Sequence, residues 1–442
     1  MWLMALLLLG CGTSPSPCPA ETCLAVELVI SPAYTLSTVL VMVRDGEQLT
    51  RREFVGSELA AGAVAVPLAP SSSPSERRAV YVRADADEAG GRHELVGFVE
   101  GERSQLDRAV VMLSEACAVS LCSGPSPRRG AAMTYVPALR QILLHGGAGL
   151  SGQPLDDLWA WNGLWWQKRT ADSTPPARSQ HGLAFDEASG QVLLFGGQGK
   201  SGVLGDTWLL DPKTMVWQRL STTSPTGRKQ AALGSAPIGS SSGLLLFGGQ
   251  DAAGEVLGDS WLWDGNGWRA GASSLCDSRP LLPSLLPRCR IGAALVPLAT
   301  SRESLLIGGW LGPQPAGSLE PDEVIWRFDG QQWSVAPLYR PPFVLSRYQH
   351  GAATLQSSTG QSAVWVGLGD SSVGLRQDSY LLDESTGQFQ PLLGGAPSPR
   401  SESAIAFDRE REELVIFGGR SDAGLLDETY TFAVETGYQR HP

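Results

Sequence analysis

Over residues 24–116 the apolar positions fall in short Val-rich runs at 24–30, 39–43, 63–68, 79–84, 94–99 and 109–113, split by Gly, Pro, Asp and Ser clusters. None carries a helical period, so the pattern predicts about six strands and a small β-sandwich over residues 24–122, vaguely immunoglobulin-like. The buried Trp of antibody domains has no counterpart there, because the block contains no Trp. Ser123-Gly124-Pro125-Ser126-Pro127 then reads as a linker. Beyond it, over residues 125–442, strand-like runs come in fours, for example 182–185, 191–195, 207–210 and 216–220. A single such sheet cannot bury both faces, so these units must stack on one another.

The stacking unit is visible as a repeat. A diglycine closes an apolar run at Leu143-Leu144-His145-Gly146-Gly147, Leu194-Phe195-Gly196-Gly197, Leu246-Phe247-Gly248-Gly249, Leu306-Ile307-Gly308-Gly309 and Ile416-Phe417-Gly418-Gly419. A degenerate copy stands at Trp365-Val366-Gly367-Leu368-Gly369, with Gly367 taken as its first glycine, which makes six copies at intervals of 50, 52, 60, 59 and 51 residues. Each copy is led by an arginine: Arg128, Arg178, Arg228, Arg288, Arg347 and Arg400. After the diglycine come an acidic residue and an aromatic: Asp157 with Trp159, Asp206 with Trp208, Asp259 with Trp261, Glu323 with Trp326, Asp378 with Tyr380, and Glu428 with Tyr430. A turn and a second aromatic close the unit: Trp165 or Trp166, Trp217, Trp268, Trp333, Phe389 and Tyr438.

This pattern resembles the kelch repeat and covers about 70% of the chain. The resemblance implies an all-β protein in which a six-bladed propeller, of the kind at the centre of galactose oxidase, follows the small sandwich. The repeat breaks at three places: Leu368 between the blade 5 glycines, an insert at 310–321 in blade 4, and the loop between blades 3 and 4.

Gly and Pro total 82 of 442 residues, a loop-dense composition that disfavours a helical protein. Net charge of −11 speaks against a nucleic-acid binder, which needs a basic face. Lysine occurs only at 168, 200, 213 and 229, so the arginine surplus reads as composition bias. Residues 1–10 are an apolar run too short to span a bilayer, followed by Cys11. Leu8-Leu9-Gly10-Cys11 resembles a bacterial lipobox. That resemblance implies a signal peptide over 1–10, lipidation of Cys11, a tether over 11–23 and a bacterial cell-envelope location, the outer membrane favoured by Gly12; an ordinary signal peptide is the alternative. The six other cysteines, Cys18, Cys23, Cys117, Cys122, Cys276 and Cys289, suit disulfides, and a Cys276–Cys289 bridge is expected across the Pro-rich loop. None forms a metal-binding pair.

His181 and His350 share one slot, Arg178-Ser179-Gln180-His181-Gly182 and Arg347-Tyr348-Gln349-His350-Gly351. Structural hydrogen bonding is the favoured reading for them, a metal shared across the pore the other. Copper chemistry of the galactose-oxidase kind needs a Tyr–Cys crosslink that this pattern does not offer, and the turns lack the Ser and Thr of sialidase repeats. Arginines and acids present once per blade read as scaffold, because a unique site breaks symmetry. The expected function is therefore a lipid-anchored, monomeric binding protein with neither catalytic residue nor cofactor nor metal. Its partner is a protein or glycan, with an anionic one favoured. The alternative is a carbohydrate-active enzyme similar to sialic-acid mutarotases, epimerases or lyases. By resemblance to peptide-binding kelch propellers, the candidate ligand-binding residues are Arg129, Gln180, Lys229, Arg290, Gln349 and Glu402 at the channel mouth, three of them cationic.

Overall fold

The computed structural model describes the strands between Cys23 and Glu115 and residues 124–441, apart from 164, 222–223, 240, 274–285, 312–323, 337–346 and 358. The chain divides into two compact units, Met1–Val119 and Ser120–Pro442. Cys11, Cys18, Cys117, Cys122, Cys276, Glu323 and most of the blade 4 insert lie outside the described residues.

The first unit holds two sheets. One places Cys23–Val29 between Ala63–Pro67, antiparallel, and Arg108–Met112, parallel. The other runs Gln48–Val55, Thr35–Asp45, Arg77–Glu88, Gly91–Glu102 and Ser114–Glu115, all antiparallel. Gln48–Val55 is absent from the strands predicted above. Its Gln-Leu-Thr-Arg-Arg-Glu-Phe-Val sequence has few apolar residues, as suits an edge strand, and among its described side chains Phe54 alone is buried.

The second unit is a six-bladed propeller. Each blade is built on a four-stranded antiparallel meander; in blade 2 Arg178–Ser179 adds a short fifth strand, and in blades 5 and 6 a small hairpin stands between the second and third strands. Blade 1 comprises Ala132–Val136, Gln141–His145, Leu158–Trp161 and Trp166–Arg169. Blade 2 comprises Gly182–Asp186, Gln191–Gly199, Gly202–Asp211 and Val216–Leu220, which contain the four predicted runs. Blade 6 likewise uses only its own strands, Ala404–Asp408, Glu413–Phe417, Thr429–Ala433 and Gly437–His441, so no strand is exchanged to close the ring. First strands of neighbouring blades pack against one another all the way round, which sets them beside the axis.

Closure comes from apolar burial between blades. Six hydrophobic clusters form, one at each seam, including that of blade 6 with blade 1, where Met133, Ile142, Leu144 and Trp166 meet Ala404, Val415 and Phe417. The closing aromatics Trp166, Trp217, Trp268, Trp333 and Phe389 are all buried in these seams. Four of the closing residues also tie two blades by a polar bond. The indoles of Trp166, Trp268 and Trp333 donate to Thr429, Thr207 and Ser260 of the preceding blade, and the Tyr438 hydroxyl bonds that of Ser379.

The diglycines serve the same joints. The second glycine of each pair donates its N–H to the lead-arginine carbonyl of the next blade, from Gly147 to Arg178 round to Gly419 to Arg128. At Gly146 φ is +65°, and a Cβ there would lie 2.5 Å from the Arg178 carbonyl oxygen, so glycine is required. In blade 5 this position is held by Leu368 (φ +61°), followed by Gly369, so the degenerate copy sits one residue later than Gly367. Leu368 accepts a left-handed backbone while burying its side chain in the seam with blade 6.

Candidate functional site

The lead arginines are scaffold. Arg128, Arg178, Arg228, Arg290, Arg347 and Arg400 are each at most 1% exposed. Each donates to the carbonyl of the first diglycine position of its own blade. Among the described residues five of them also pair with an acid, Asp157, Asp206, Asp259, Asp378 or Glu428. Trp159, Trp208 and Trp261 donate to the same carboxylates, which explains the fixed acid–aromatic spacing. Burial pushes the Asp157, Asp206 and Asp259 carboxyls upward, but the arginine and indole bonds outweigh it and leave them below the usual range.

Blade 4 therefore corrects two expectations. Its lead arginine is Arg290, not Arg288, so Arg290 lies beneath the surface and cannot line the mouth. Spacing held the signal: the guanidinium reaches a carbonyl 18 residues ahead from Arg128, Arg178, Arg290 and Arg400 alike. Cys289 beside it is buried, while Cys276 is outside the described residues.

Two residues past each lead arginine the chain turns through a left-handed conformation: Gly130, Gln180, Gln230, Gly292, Gln349 and Glu402, with φ between 50° and 63°. Their backbones form a closed belt. The N–H of each donates to the carbonyl of the same position in the preceding blade, from Gly130 to Glu402, Gln180 to Gly130, Gln230 to Gln180, Gly292 to Gln230, Gln349 to Gly292 and Glu402 to Gln349. One step outward stand Arg129, Ser179, Lys229, Ile291, Tyr348 and Ser401. Each pairs with the residue after its own diglycine: Ala148, Gln198, Gln250, Trp310, Asp370 and Arg420. The belt and this outer circle form the mouth of the channel.

Gln180, Gln349 and Glu402 are thus belt residues, and Arg129 and Lys229 belong to the outer circle. The expected positive focus is largely neutralised. Arg129 bonds Glu402 at 2.9 Å, and the Gln180 amide donates to the other Glu402 oxygen at 2.9 Å. Arg420 pairs with Asp370 at 3.1 Å. Burial, and the Asp370 carboxylate to which it bonds, raise the Tyr348 hydroxyl pKa. Among the described residues Lys229 Nζ reaches only the Gln198 side-chain carbonyl, at 3.4 Å. Asp370, Arg420, Tyr348 and Gln230 escaped the sequence reading; their signal is position, directly after a diglycine or one or two residues after a lead arginine.

The histidines also part company. His181 Nε2 lies 3.2 Å from His145 Nδ1 of blade 1, edge-on and fully buried, whereas His350 has neither ring nitrogen bonded among the described residues. In blade 4 the position of His145 is held by Ile307, which offers no polar atom. Burial, reinforced by Arg347, holds His350 down to about 3, and burial with Arg178 holds His145 down to about 3. No cluster of three metal-ligating side chains occurs among the described residues.

Comparison with known proteins bears on fold and source. A family profile for the KLHDC2/KLHL20/DRC7 Kelch-repeats domain matches residues 110–269. An acyl-CoA-binding domain-containing protein 5 of Arabidopsis thaliana is 26% identical over 280 residues, 63% of this chain and 34% of that protein. An F-box/kelch-repeat protein of the same plant is 31% identical over 152 residues, 31% of this chain and 32% of its own length. A tRNA wybutosine-synthesizing protein 4 of Emericella nidulans is 29% identical over 187 residues, 39% of this chain and 17% of that protein. The chain thus spans about a third or less of each. These relatives are plant and fungal proteins, which overturns the expectation of a bacterial cell-envelope lipoprotein.

Proposed function

Because this chain is a kelch-repeat protein whose repeats close into a six-bladed propeller, we propose that it is a non-catalytic protein-interaction platform whose docking face is the channel mouth. One observation carries this reading. The groups that recur from blade to blade, the lead arginines and the diglycines (Leu368-Gly369 in blade 5), are consumed in holding the ring. The partly exposed side chains that differ from blade to blade, Arg129, Lys229, Tyr348, Trp310 and Arg420, are gathered on the mouth face. Kelch propellers commonly bind protein partners, and an irregular polar and aromatic surface on a rigid frame suits that task. Lys229, the mouth cation without a carboxylate among the described residues, favours an acidic group on the partner.

The test is affinity purification of the full chain against Lys229→Glu with Arg420→Ala, thermal unfolding confirming that both fold. Partners held by the wild type and lost from the variant are expected. An identical partner set for both proteins overturns the mouth as the docking face. The Cys276–Cys289 bridge stays a proposal beside this one, checked by peptide mapping without reductant.

A further inference from the structure

Among the described residues, three blades set a cation on the fourth strand directly opposite the aromatic that follows the acid. These are Lys168 opposite Trp159 in blade 1, Arg219 opposite Trp208 in blade 2 and Arg440 opposite Tyr430 in blade 6. Two of them are engaged within their own blade. Lys168 Nζ lies over the Trp159 ring, 6.0 Å from its centroid. Arg440 pairs at 2.8 Å with Glu428 Oε1, which the lead arginine leaves open by bonding Oε2. Arg219 has no such outlet. Both oxygens of Asp206 are taken by Arg178, at 2.7 and 2.9 Å, and the Trp208 indole donates to one of them at 2.7 Å. Arg219 is exposed and makes neither a hydrogen bond nor an ion pair among the described residues.

This guanidinium borders a cleft of about 510 Å³ on the outer strands of blade 2, with no mouth residue in its wall. Val203, Leu204, Leu220 and the half-buried Trp208 form the apolar side, and Asp206 and Ser224 lie on the polar side. Its floor is bare at Gly205. Just before the acid, blades 1, 5 and 6 carry Asp156, Gln377 and Asp427, whereas a Cβ on Gly205 would lie 2.8 Å from Gly227 Cα of the chain entering blade 3. Because Asp206 fixes one edge of the indole, the Trp208 ring is a rigid wall rather than a mobile flap. The volume is within the range that small ligands occupy, roughly 300–1,000 Å³.

We propose that this cleft is a second binding site, separate from the mouth, that takes a small aromatic carboxylate with its ring against Trp208 and its anionic group on Arg219. The Asp206 charge is answered by Arg178, which leaves Arg219 as the uncompensated charge at the cleft. One guanidinium matches one carboxylate through two parallel bonds. A dianion would bring its second charge toward Asp206, and a flat apolar body suits an indole wall.

Titration calorimetry of the full chain with naphthalene-2-carboxylate is the test, with thermal unfolding confirming that every variant folds. Arg219→Ala should weaken binding by about tenfold or more, the scale of a charged hydrogen bond. Arg440→Ala, at the same register position of blade 6, should leave it unchanged. Arg219→Glu should reject the carboxylate and instead take up naphthalen-2-ylmethylammonium. Wild-type protein that shows no binding at millimolar probe, or Arg219→Ala that binds as the wild type does, overturns the site. Binding that survives Arg219→Ala but is lost from Lys229→Glu with Arg420→Ala puts the anion at the mouth and overturns it equally.

Discussion

Trp217 differs from Trp166, Trp268 and Trp333 in that its neighbour in the preceding blade carries no hydroxyl. The residue after the acid is Thr207, Ser260 or Thr429 where a closing indole arrives, but Leu158 where Trp217 arrives. The Trp217 Nε1 accordingly has no acceptor among the described residues, although the ring is buried. Removing an indole N–H that already lacks an acceptor forfeits no hydrogen bond, whereas removing one that is bonded gives up a buried bond between blades. Trp268→Phe should therefore cost about 1–2 kcal/mol more than Trp217→Phe in urea unfolding; equal costs would mean that the polar tie contributes nothing. Both halves of such a pair are visible in the chain, but the partners belong to adjacent blades. Reading one repeat at a time cannot join them. The slip from Arg288 to Arg290 has a related cause, since either arginine suits the local pattern and only the reach to Gly308 decides.

At the scale of elements, the strands that alternate or run apolar were legible and the polar edge strand Gln48–Val55 was not. The blade strands were plain because each carries its apolar run between fixed landmarks. The 109–113 run is equally plain, yet its type alone does not say which sheet it joins. Structurally, Arg108–Met112 pairs with Cys23–Val29 in the first unit, and each propeller blade is complete without it. A chain of residues 124–442 should consequently fold by itself with one cooperative transition, closing through the apolar seam of blades 6 and 1. Differential scanning calorimetry is the check, and a broad transition or an aggregated product would contradict it. The belt was hidden from the sequence, because a Gln or Glu in a left-handed turn carries no compositional mark.

For the molecule as a whole, burial decides the response to acid. His145 and His350 are held near 3, and His181 is also pushed well down, by burial first and then by neighbouring positive charge. Their unfolded pKa is near 6.5, so in mild acid the unfolded chain binds protons that the folded chain refuses. Stability is then complete above 6.5 and falls as pH drops toward 3. A single histidine of this kind removes roughly 2 kcal/mol by pH 5. Asp378 adds to the loss below about 4. Burial raises its carboxyl, but the Arg376 and Arg347 guanidinium groups prevail and hold it at about 2. His350→Leu should flatten the stability curve between pH 6.5 and 4.5, and a variant whose curve parallels the wild type would show that His350 is not responsible.

The backbone belt behaves as a hoop on a barrel, and a hoop has no weakest stave. Amides at Gly130, Gln180, Gln230, Gly292, Gln349 and Glu402 are far apart in the chain, yet none can be freed without parting two blades. In deuterium exchange they should form one kinetic class, slow and uniform, with protection equal to that of the entire ring. Exchange that runs faster at one blade than at the others would reveal where the ring first opens.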